Sequence, residues 1–234
     1  DIPNFCWAEY GMRAGMPRLI ETFERRGLPV SVSINAGVIG AYPSCARAMR
    51  DADWEFIGHG VHQKSLQGES DEEEMILTAI RMIEDFTGKP CKGWLSPGLK
   101  ESFQTPDILK ENGIDYVFDW VLDDLPCWLK TDFGPLLSLP YTLELNDSPV
   151  YAIERQNSPE MYNRLLDTLS VFEPELKTQP RVLTLALHPH LIGVPHRFAY
   201  LERMLDVLME REDTVFVVGR QIADWYKAAC PPEH

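Results

Sequence analysis

The sequence predicts an α/β fold in which parallel strands alternate with helices. Short apolar or β-branched runs recur between amphipathic stretches along all 234 residues, at a spacing of about 30 residues that is typical of βα units. No linker and no change of composition divides the chain, so we expect a single domain over residues 1–234. A barrel and a doubly wound sheet are both compatible with this alternation.

The predicted strands are short runs rich in β-branched and aromatic residues, the types that strands favour. Each is followed by a turn signal or by polar residues. In chain order they are Leu28–Ile34, Trp54–Ile57, Lys92–Leu95, Tyr116–Phe118, Leu136–Pro140, Val182–Leu187 and Thr214–Val218.

The predicted helices follow from apolar periodicity and from residues that begin or end helices. Ser70 and Glu73 form a capping box before a helix with a clear 3.6-residue period, which Gly88 ends. Thr105 is followed by a proline, which suits the first turn of a helix. The predicted helices are Pro17–Arg26, Tyr42–Ala52, Asp71–Phe86, Thr105–Glu111, Pro159–Phe172, Phe198–Arg211 and Arg220–Ala229.

The composition excludes several classes of partner. The chain carries 22 Lys and Arg against 36 Asp and Glu, a net charge of −14. This balance disfavours binding to nucleic acid or to an anionic membrane surface, and no apolar run approaches the length of a membrane-spanning helix. Five cysteines without a CxxC pair suggest reduced thiols, so we expect a cytoplasmic protein.

Polar residues follow five of the predicted strands. They are Asn35, the pair His59 and His62, the segment Ser96-Pro97-Gly98, the segment Asp119-Trp120, and the pair His188 and His190. In βα barrels the active site forms at the carboxyl ends of the strands, so these groups are expected to converge in a catalytic mouth. No dinucleotide-binding, P-loop or serine-hydrolase motif is present.

Three features leave two interpretations open. Histidine pairs at short spacing occur in zinc sites, but single histidines are often structural, and no HExxH motif is present. Arg197 could bind an anionic or amide oxygen, or interact with the start of the helix at Phe198. The acidic and aromatic stretch Asp115–Asp124 could be a solvated face or a pocket wall.

Five blocks of sequence, taken in order, resemble the polysaccharide deacetylase (NodB-homology) superfamily. The resemblance is strongest to its branch of metal-independent allantoinase-type enzymes and intracellular peptidoglycan-deacetylase-like proteins. It implies a distorted (β/α)7-type barrel, whose first strand we expect to precede this chain, and a homo-oligomer, often a tetramer. The blocks are Glu9–Leu19, Gly58–Gly60, Gly93–Leu99, Asp115–Pro126 and His188–Arg197.

The resemblance also implies how a metal would be held. Metal-dependent members use an Asp from a first motif and two histidines spaced H-x-x-x-H. His59 matches the first histidine, whereas Gln63 occupies the second position and His62 lies one residue out of register. No cofactor is therefore expected, and a divalent metal such as zinc is expected only if residues upstream of Asp1 supply the Asp.

The resemblance and the strand-end pattern together predict a hydrolase of non-peptide carbon–nitrogen bonds, acting on a small cyclic amide or a related molecule. His188 matches the family histidine that protonates the leaving amine or stabilises the oxyanion, and His59 would orient water or substrate. The alternatives are a metal-dependent carbohydrate N-deacetylase and a non-catalytic ligand-binding barrel. The expected substrate-binding residues are Glu9, Pro97, Gly98, Asp119, Trp120, His190 and Arg197.

Overall fold

A computed structural model describes residues 2–67 and 71–232. Its contacts divide the chain into two compact units. Unit 1 comprises Asp1–Leu28 and Tyr141–Phe216, and unit 2 comprises Pro29–Pro140 and Val217–His234. None of the described helices is long and apolar enough to cross a membrane.

Unit 2 contains a six-stranded sheet with the order β1-β2-β3-β4-β6-β5. The first five strands in that order are parallel, and β5 is antiparallel to β6. The strands are β1 Ser31–Ile34, β2 Glu55–Gly58, β3 Gly93–Trp94, β4 Tyr116–Val117, β5 Cys127–Thr131 and β6 Gly134–Ser138.

The register of this sheet aligns the carboxyl ends of its parallel strands. Ile34 pairs with Gly58, Gly58 with Trp94, Trp94 with Val117, and Val117 with Ser138. The residues that follow β1 to β4 therefore leave the sheet along one edge, as the parallel topology requires.

Glycines on two strands make room for buried aromatic rings. A Cβ atom on Gly58 would lie 2.4 Å from the Trp94 ring, and one on Gly93 would lie 2.4 Å from the Tyr116 ring. Both rings are almost fully buried. The close strand-to-ring packing thus explains glycine within these short strands.

Unit 2 also contains five of the helices. The helix α5 buries Ile76, Ala79, Ile80 and Ile83 on one face, which is the amphipathic stripe that the sequence predicts. The N-terminus of α9 is held by Glu55, whose carboxylate accepts hydrogen bonds from the Arg220 backbone N–H and other donors. The helices are α3 Gly37–Ala41, α4 Pro43–Asp51, α5 Glu72–Thr87, α6 Thr105–Glu111 and α9 Gly219–Ala229.

Unit 1 is helical, with α1 Ile2–Tyr10, α2 Met16–Arg26, α7 Glu160–Glu175 and α8 Pro195–Met209. A π-helical turn over Gly11–Gly15 joins α1 to α2, and a second covers Ser148–Ile153. The buried core consists of Leu19, Leu145, Val150, Tyr151, Met161, Leu165, Ile192, Leu201, Met204, Leu205 and Leu208.

The predicted helices are confirmed, and their ends differ from the predicted ones by at most three residues. The predicted cap Ser70 lies outside the described residues. The first five predicted strands overlap β1, β2, β3, β4 and β6. The sequence analysis did not predict α1, α3 or β5.

The remaining two predicted strands are wrong. Val182–Leu187 forms no strand, and its single bridge joins Ala186 to Asn146. Thr214–Val218 forms no strand either, and Val215 is 74% exposed. β-Branched residues favour a strand only where a neighbouring strand supplies hydrogen bonds and packing, and neither run has one along its length.

Candidate functional site

The most distinctive polar contact of unit 1 joins a buried carboxylate to a histidine. Nδ1 of His188 lies 2.6 Å from Oδ1 of Asp147, and the Asp147 side chain is completely buried. The other oxygen, Oδ2, accepts hydrogen bonds from the backbone N–H groups of His188 at 2.7 Å and Ile192 at 3.1 Å. Three donors therefore fix the orientation of this carboxylate.

Backbone contacts bring the two residues together. Asn146 pairs with Ala186, and the Asp147 N–H donates to the Ala186 carbonyl at 3.1 Å. The chain then turns sharply, because the N–H groups of Leu191 and Ile192 donate to the His188 carbonyl at 2.9 and 3.1 Å. This turn presents the His188 side chain beside Asp147.

The protonation state of His188 is controlled by its partner. Burial lowers the pKa of His188, but the hydrogen bond and the negative charge of Asp147 raise it, and the net shift is upward. The side chain remains 40% exposed. A positioned, accessible imidazole is suited to general acid–base chemistry.

A second histidine and a tryptophan extend this cluster. The ring of His190 lies edge-on to His188 with the centroids 6.0 Å apart, and Trp7 lies edge-on to His190 at 5.5 Å. Burial and the neighbouring His188 lower the pKa of His190. The pKa values of these two neighbouring histidines are therefore shifted in opposite directions.

Two glycines of the π-helical turn allow this histidine loop to approach closely. A Cβ atom on Gly15 would lie 2.0 Å from the Pro189 carbonyl oxygen, and one on Gly11 would lie 2.7 Å from the backbone nitrogen of His190. No side chain fits at such distances, so the backbone of residues 11–15 packs directly on residues 189–190.

Arg197 and Glu9 also lie in unit 1. The Arg197 guanidinium stacks on Tyr151 with its carbon 4.4 Å from the ring centroid, and Nη1 donates to the Leu191 carbonyl at 3.3 Å. Its Nε is buried without a hydrogen-bond partner among the described residues. Arg197 thus supports the loop that carries His188, and Glu9 is a partly buried residue of α1.

The other predicted residues lie in unit 2. Nδ1 of His59 lies 2.5 Å from the Leu95 carbonyl oxygen, and the Asn35 side chain donates to the His59 carbonyl at 2.5 Å. These contacts hold His59 at the carboxyl ends of three adjacent strands. Of the five strand-end groups expected to converge, the four that follow β1 to β4 are connected at this edge of the sheet, whereas His188 and His190 belong to unit 1.

Asp119 follows β4 and connects to the segment after β3. Its Oδ1 accepts a hydrogen bond from the Ser96 N–H at 2.6 Å. Burial raises the pKa of Asp119 to about 7, and Oδ2 has no partner among the residues that the structure describes. Pro97 is buried, and Gly98 has a φ of +68°, so this turn has little freedom.

The described residues do not form a metal centre by themselves. Within residues 2–67 and 71–232, no three His, Cys, Asp or Glu side chains are grouped so that they could hold an ion. His62 and Gln63 are exposed after β2, and Nδ1 of His59 faces a backbone carbonyl.

Asp147 is not among the residues that the sequence predicts for the site. The predicted acidic and aromatic residues are Asp119 and Trp120, which directly follow a predicted strand, whereas Asp147 does not. The available signal was an Asn-Asp pair directly after the alternating run Leu143-Glu144-Leu145.

A family model and several solved structures match this chain. A family model described as polysaccharide deacetylase matches residues 8–117. A solved structure of Puue allantoinase shares 29% identity, with 100% of this chain and 78% of that chain covered and a TM-score of 0.93. A structure described as "probable polysaccharide deacetylase" from Pseudomonas aeruginosa shares 31% identity, covering 100% of this chain and 79% of that one, with a TM-score of 0.91.

A curated peptidoglycan deacetylase from Helicobacter pylori is 21% identical over 90% of this chain and 83% of its own length. The structural matches confirm the predicted α/β class and its NodB-like barrel type. They also support an enzyme that hydrolyses carbon–nitrogen bonds. The chain belongs to the polysaccharide deacetylase family.

Proposed function

We propose that this chain hydrolyses an amide carbon–nitrogen bond in a small cyclic amide or a related molecule, and that His188 moves the proton. The observation that carries this proposal is the 2.6 Å contact between His188 and the buried Asp147. A carboxylate that holds one ring nitrogen fixes the tautomer and orientation of the imidazole, which leaves the other nitrogen for proton transfer.

In the proposed reaction, His188 first accepts a proton and later donates it. A water oxygen attacks the amide carbon while Nε2 of His188 accepts a proton from that water. The carbon–nitrogen bond then breaks, and the same Nε2 donates the proton to the departing nitrogen. The upward shift in the pKa of His188 strengthens its imidazole as the base that accepts the proton from water.

The choice of a cyclic amide is supported by similarity to an allantoinase that extends over all of this chain. His190 lies beside His188, and its ring N–H is suited to donating a hydrogen bond to the substrate carbonyl oxygen. Within unit 1, the residues proposed to contact the substrate are Glu9, His190 and Arg197. The roles expected for His59, Pro97, Gly98, Asp119 and Trp120 of unit 2 stay predictions.

A metal-dependent carbohydrate N-deacetylase is the second candidate. The name of the Helicobacter pylori relative favours it, as does His59 at the position of the first metal-binding histidine. The described residues supply no complete ligand set. This candidate therefore requires a ligand from outside these residues, and metal analysis of a longer protein would test it.

A substrate panel tests the reaction. Cyclic ureides and imides are compared with N-acetyl sugars and short chitin chains, with mass spectrometry to detect ring opening by one water and a separate assay for acetate. We expect ring opening, and acetate release alone would favour the second candidate. Tight binding without turnover of any compound would favour the non-catalytic barrel.

Variants test the role of His188. His188→Ala should lower turnover by about 10²- to 10⁴-fold, the usual effect of removing a general acid–base group. His196→Ala is the matched control, because His196 is an exposed histidine of unit 1. Full turnover in folded His188→Ala would refute the assignment.

Cytoplasmic location and homo-oligomeric assembly remain predictions, which fractionation and light scattering would check.

A further inference from the structure

We propose that Arg18 is a positioning residue that holds the loop of His188 and His190 in place for the reaction. This inference rests on the proposed function, because it concerns how the proton-moving histidine is fixed. Nη1 of Arg18 donates two hydrogen bonds, one to the Gly193 carbonyl oxygen at 2.6 Å and one to the Tyr10 hydroxyl oxygen at 3.0 Å. All of these residues belong to unit 1.

The contact lies where the loop that carries His188 ends. Gly193 directly follows Ile192, whose backbone N–H donates to the Asp147 carboxylate at 3.1 Å. The His188 N–H donates to the same carboxylate oxygen at 2.7 Å. The loop therefore wraps around Asp147, with His188 at one end and the Gly193 carbonyl at the other. A hydrogen bond from a guanidinium is stronger than one between neutral groups, so Arg18 anchors the end opposite His188.

The backbone of the π-helical turn packs against this loop. A Cβ atom on Gly193 would lie 2.2 Å from the Pro189 carbonyl oxygen and 2.5 Å from Cα of Gly15, so no side chain at position 193 can hold the loop. Arg18 follows the turn by three positions, and Tyr10 directly precedes it. The bond to Tyr10 therefore closes the turn, and the bond to Gly193 fixes the closed turn to the loop.

The two histidines depend on this anchor for their placement beside helix α1. Trp7 of α1 lies edge-on to His190 with the ring centroids 5.5 Å apart, and His190 lies edge-on to His188 at 6.0 Å. A misplacement of about 1 Å in an active site can lower a rate by about 10²-fold. A small movement of the loop after the loss of Arg18 should therefore appear in turnover.

Kinetics of Arg18→Met test the proposal. With the substrate identified in the panel, we expect kcat to fall about tenfold or more while KM changes by less than about twofold, because the effect passes through the histidines rather than through substrate binding. Unchanged kcat in folded Arg18→Met would overturn the proposal. A rise in KM with kcat unchanged would also overturn it, since Arg18 would then bind the substrate.

Arg25→Met is the matched control. Arg25 lies on the same helix as Arg18, its side chain is 58% exposed, and it forms an ion pair with Glu202 at 3.0 Å. Exposed ion pairs contribute little to stability, so this variant loses an arginine contact of the same helix without disturbing the loop. Its kcat and KM should match those of the unchanged protein.

Tyr10→Phe provides a second, milder test, because it removes only the hydroxyl group and keeps the ring. It should lower kcat by less than Arg18→Met does. The double variant should be no slower than Arg18→Met, because both changes act through the same Arg18 nitrogen. Losses of kcat that multiply in the double variant would show that the two side chains act independently, and this would overturn the proposal.

NMR of the histidine rings, recorded without substrate, separates this proposal from the proposed reaction. Arg18→Met should shift the ring resonances of His188 and His190, whereas Arg25→Met should leave them in place. If the chain turns over no compound, the proposed function fails, while the shifts still measure whether Arg18 positions the histidines. Unchanged resonances in folded Arg18→Met would overturn the positioning role whether or not the chain is active.

Discussion

Oδ1 of Asp147 lies 2.6 Å from Nδ1 of His188, although 41 positions separate the two residues in the chain. The carboxylate is completely buried and the histidine partly exposed. A buried charge is costly unless it is paired and hydrogen-bonded, and here the histidine and two backbone N–H groups satisfy it. The arrangement gives His188 a fixed orientation and a raised pKa.

Asp147→Asn should lower the pKa of His188. The charge of Asp147 raises this pKa, while burial of the imidazole lowers it, so removal of the charge leaves burial as the main influence. The imidazolium would then be lost at a lower pH, and any activity that needs it as an acid should decline from a lower pH. Histidine ring resonances followed by NMR across the pH range measure the change.

Asp167→Asn is the control for this substitution, because Asp167 is an exposed residue of α7. The titration of His188 should be the same in this variant as in the unchanged protein. If Asp147→Asn also left it unchanged, the carboxylate would not control the protonation of His188.

Glu101→Gln should become more stable, relative to the unchanged protein, as the pH rises. The pKa of Glu101 is about 8 in the folded chain and about 4.3 in an unfolded one, so folding binds a proton between these values. The contribution of Glu101 to the free energy of unfolding is therefore fully present below about pH 4, and it is lost as the pH rises towards 8. Glutamine has no such titration.

Urea unfolding at a series of pH values tests this prediction. The difference in free energy of unfolding between Glu101→Gln and the unchanged protein should rise from pH 5 to pH 8 and be constant above about pH 9. Glu73→Gln, at an exposed position of α5, should show no such rise. A flat difference for Glu101→Gln would mean that Glu101 titrates normally.

Gly15→Ala should destabilise unit 1 and displace the loop that carries His188 and His190. The new Cβ atom would lie 2.0 Å from the Pro189 carbonyl oxygen, and backbone atoms on both sides cannot move aside cheaply. Overpacking of this kind costs about 1–3 kcal/mol. Thermal unfolding measures the loss of stability, and NMR of the two histidines reports the displacement.

Gly40→Ala provides the comparison, because nothing lies within 4 Å of a Cβ atom at Gly40 in α3. This variant should unfold at or near the temperature of the unchanged protein. Equal stability of Gly15→Ala and Gly40→Ala would show that residues 11–15 do not pack on Pro189 as closely as described.

Much of the fold follows from local patterns in the sequence. The stripe of Ile76, Ala79, Ile80 and Ile83 is buried as its spacing predicts, and helix α6 has the predicted bounds. Period, caps and prolines act over a few residues, so such features can be read without knowing the rest of the molecule. The placement of His59 beside Leu95 follows from the parallel order of β2 and β3.

The tertiary fold determines which carboxylate contacts the His188 ring. Asp119 follows a predicted strand and accepts a hydrogen bond from the Ser96 N–H. Asp147 follows no predicted strand, and the pairing of Asn146 with Ala186 brings it to His188. The same holds for the raised pKa of Glu101, since burial and charges from distant segments cause it. Local signals in the sequence predict the helices, most of the strands and His59 at the end of β2. The hydrogen-bond partners and the pKa shifts of the histidines and carboxylates come from the tertiary fold, because they depend on distances between residues that are far apart in the chain.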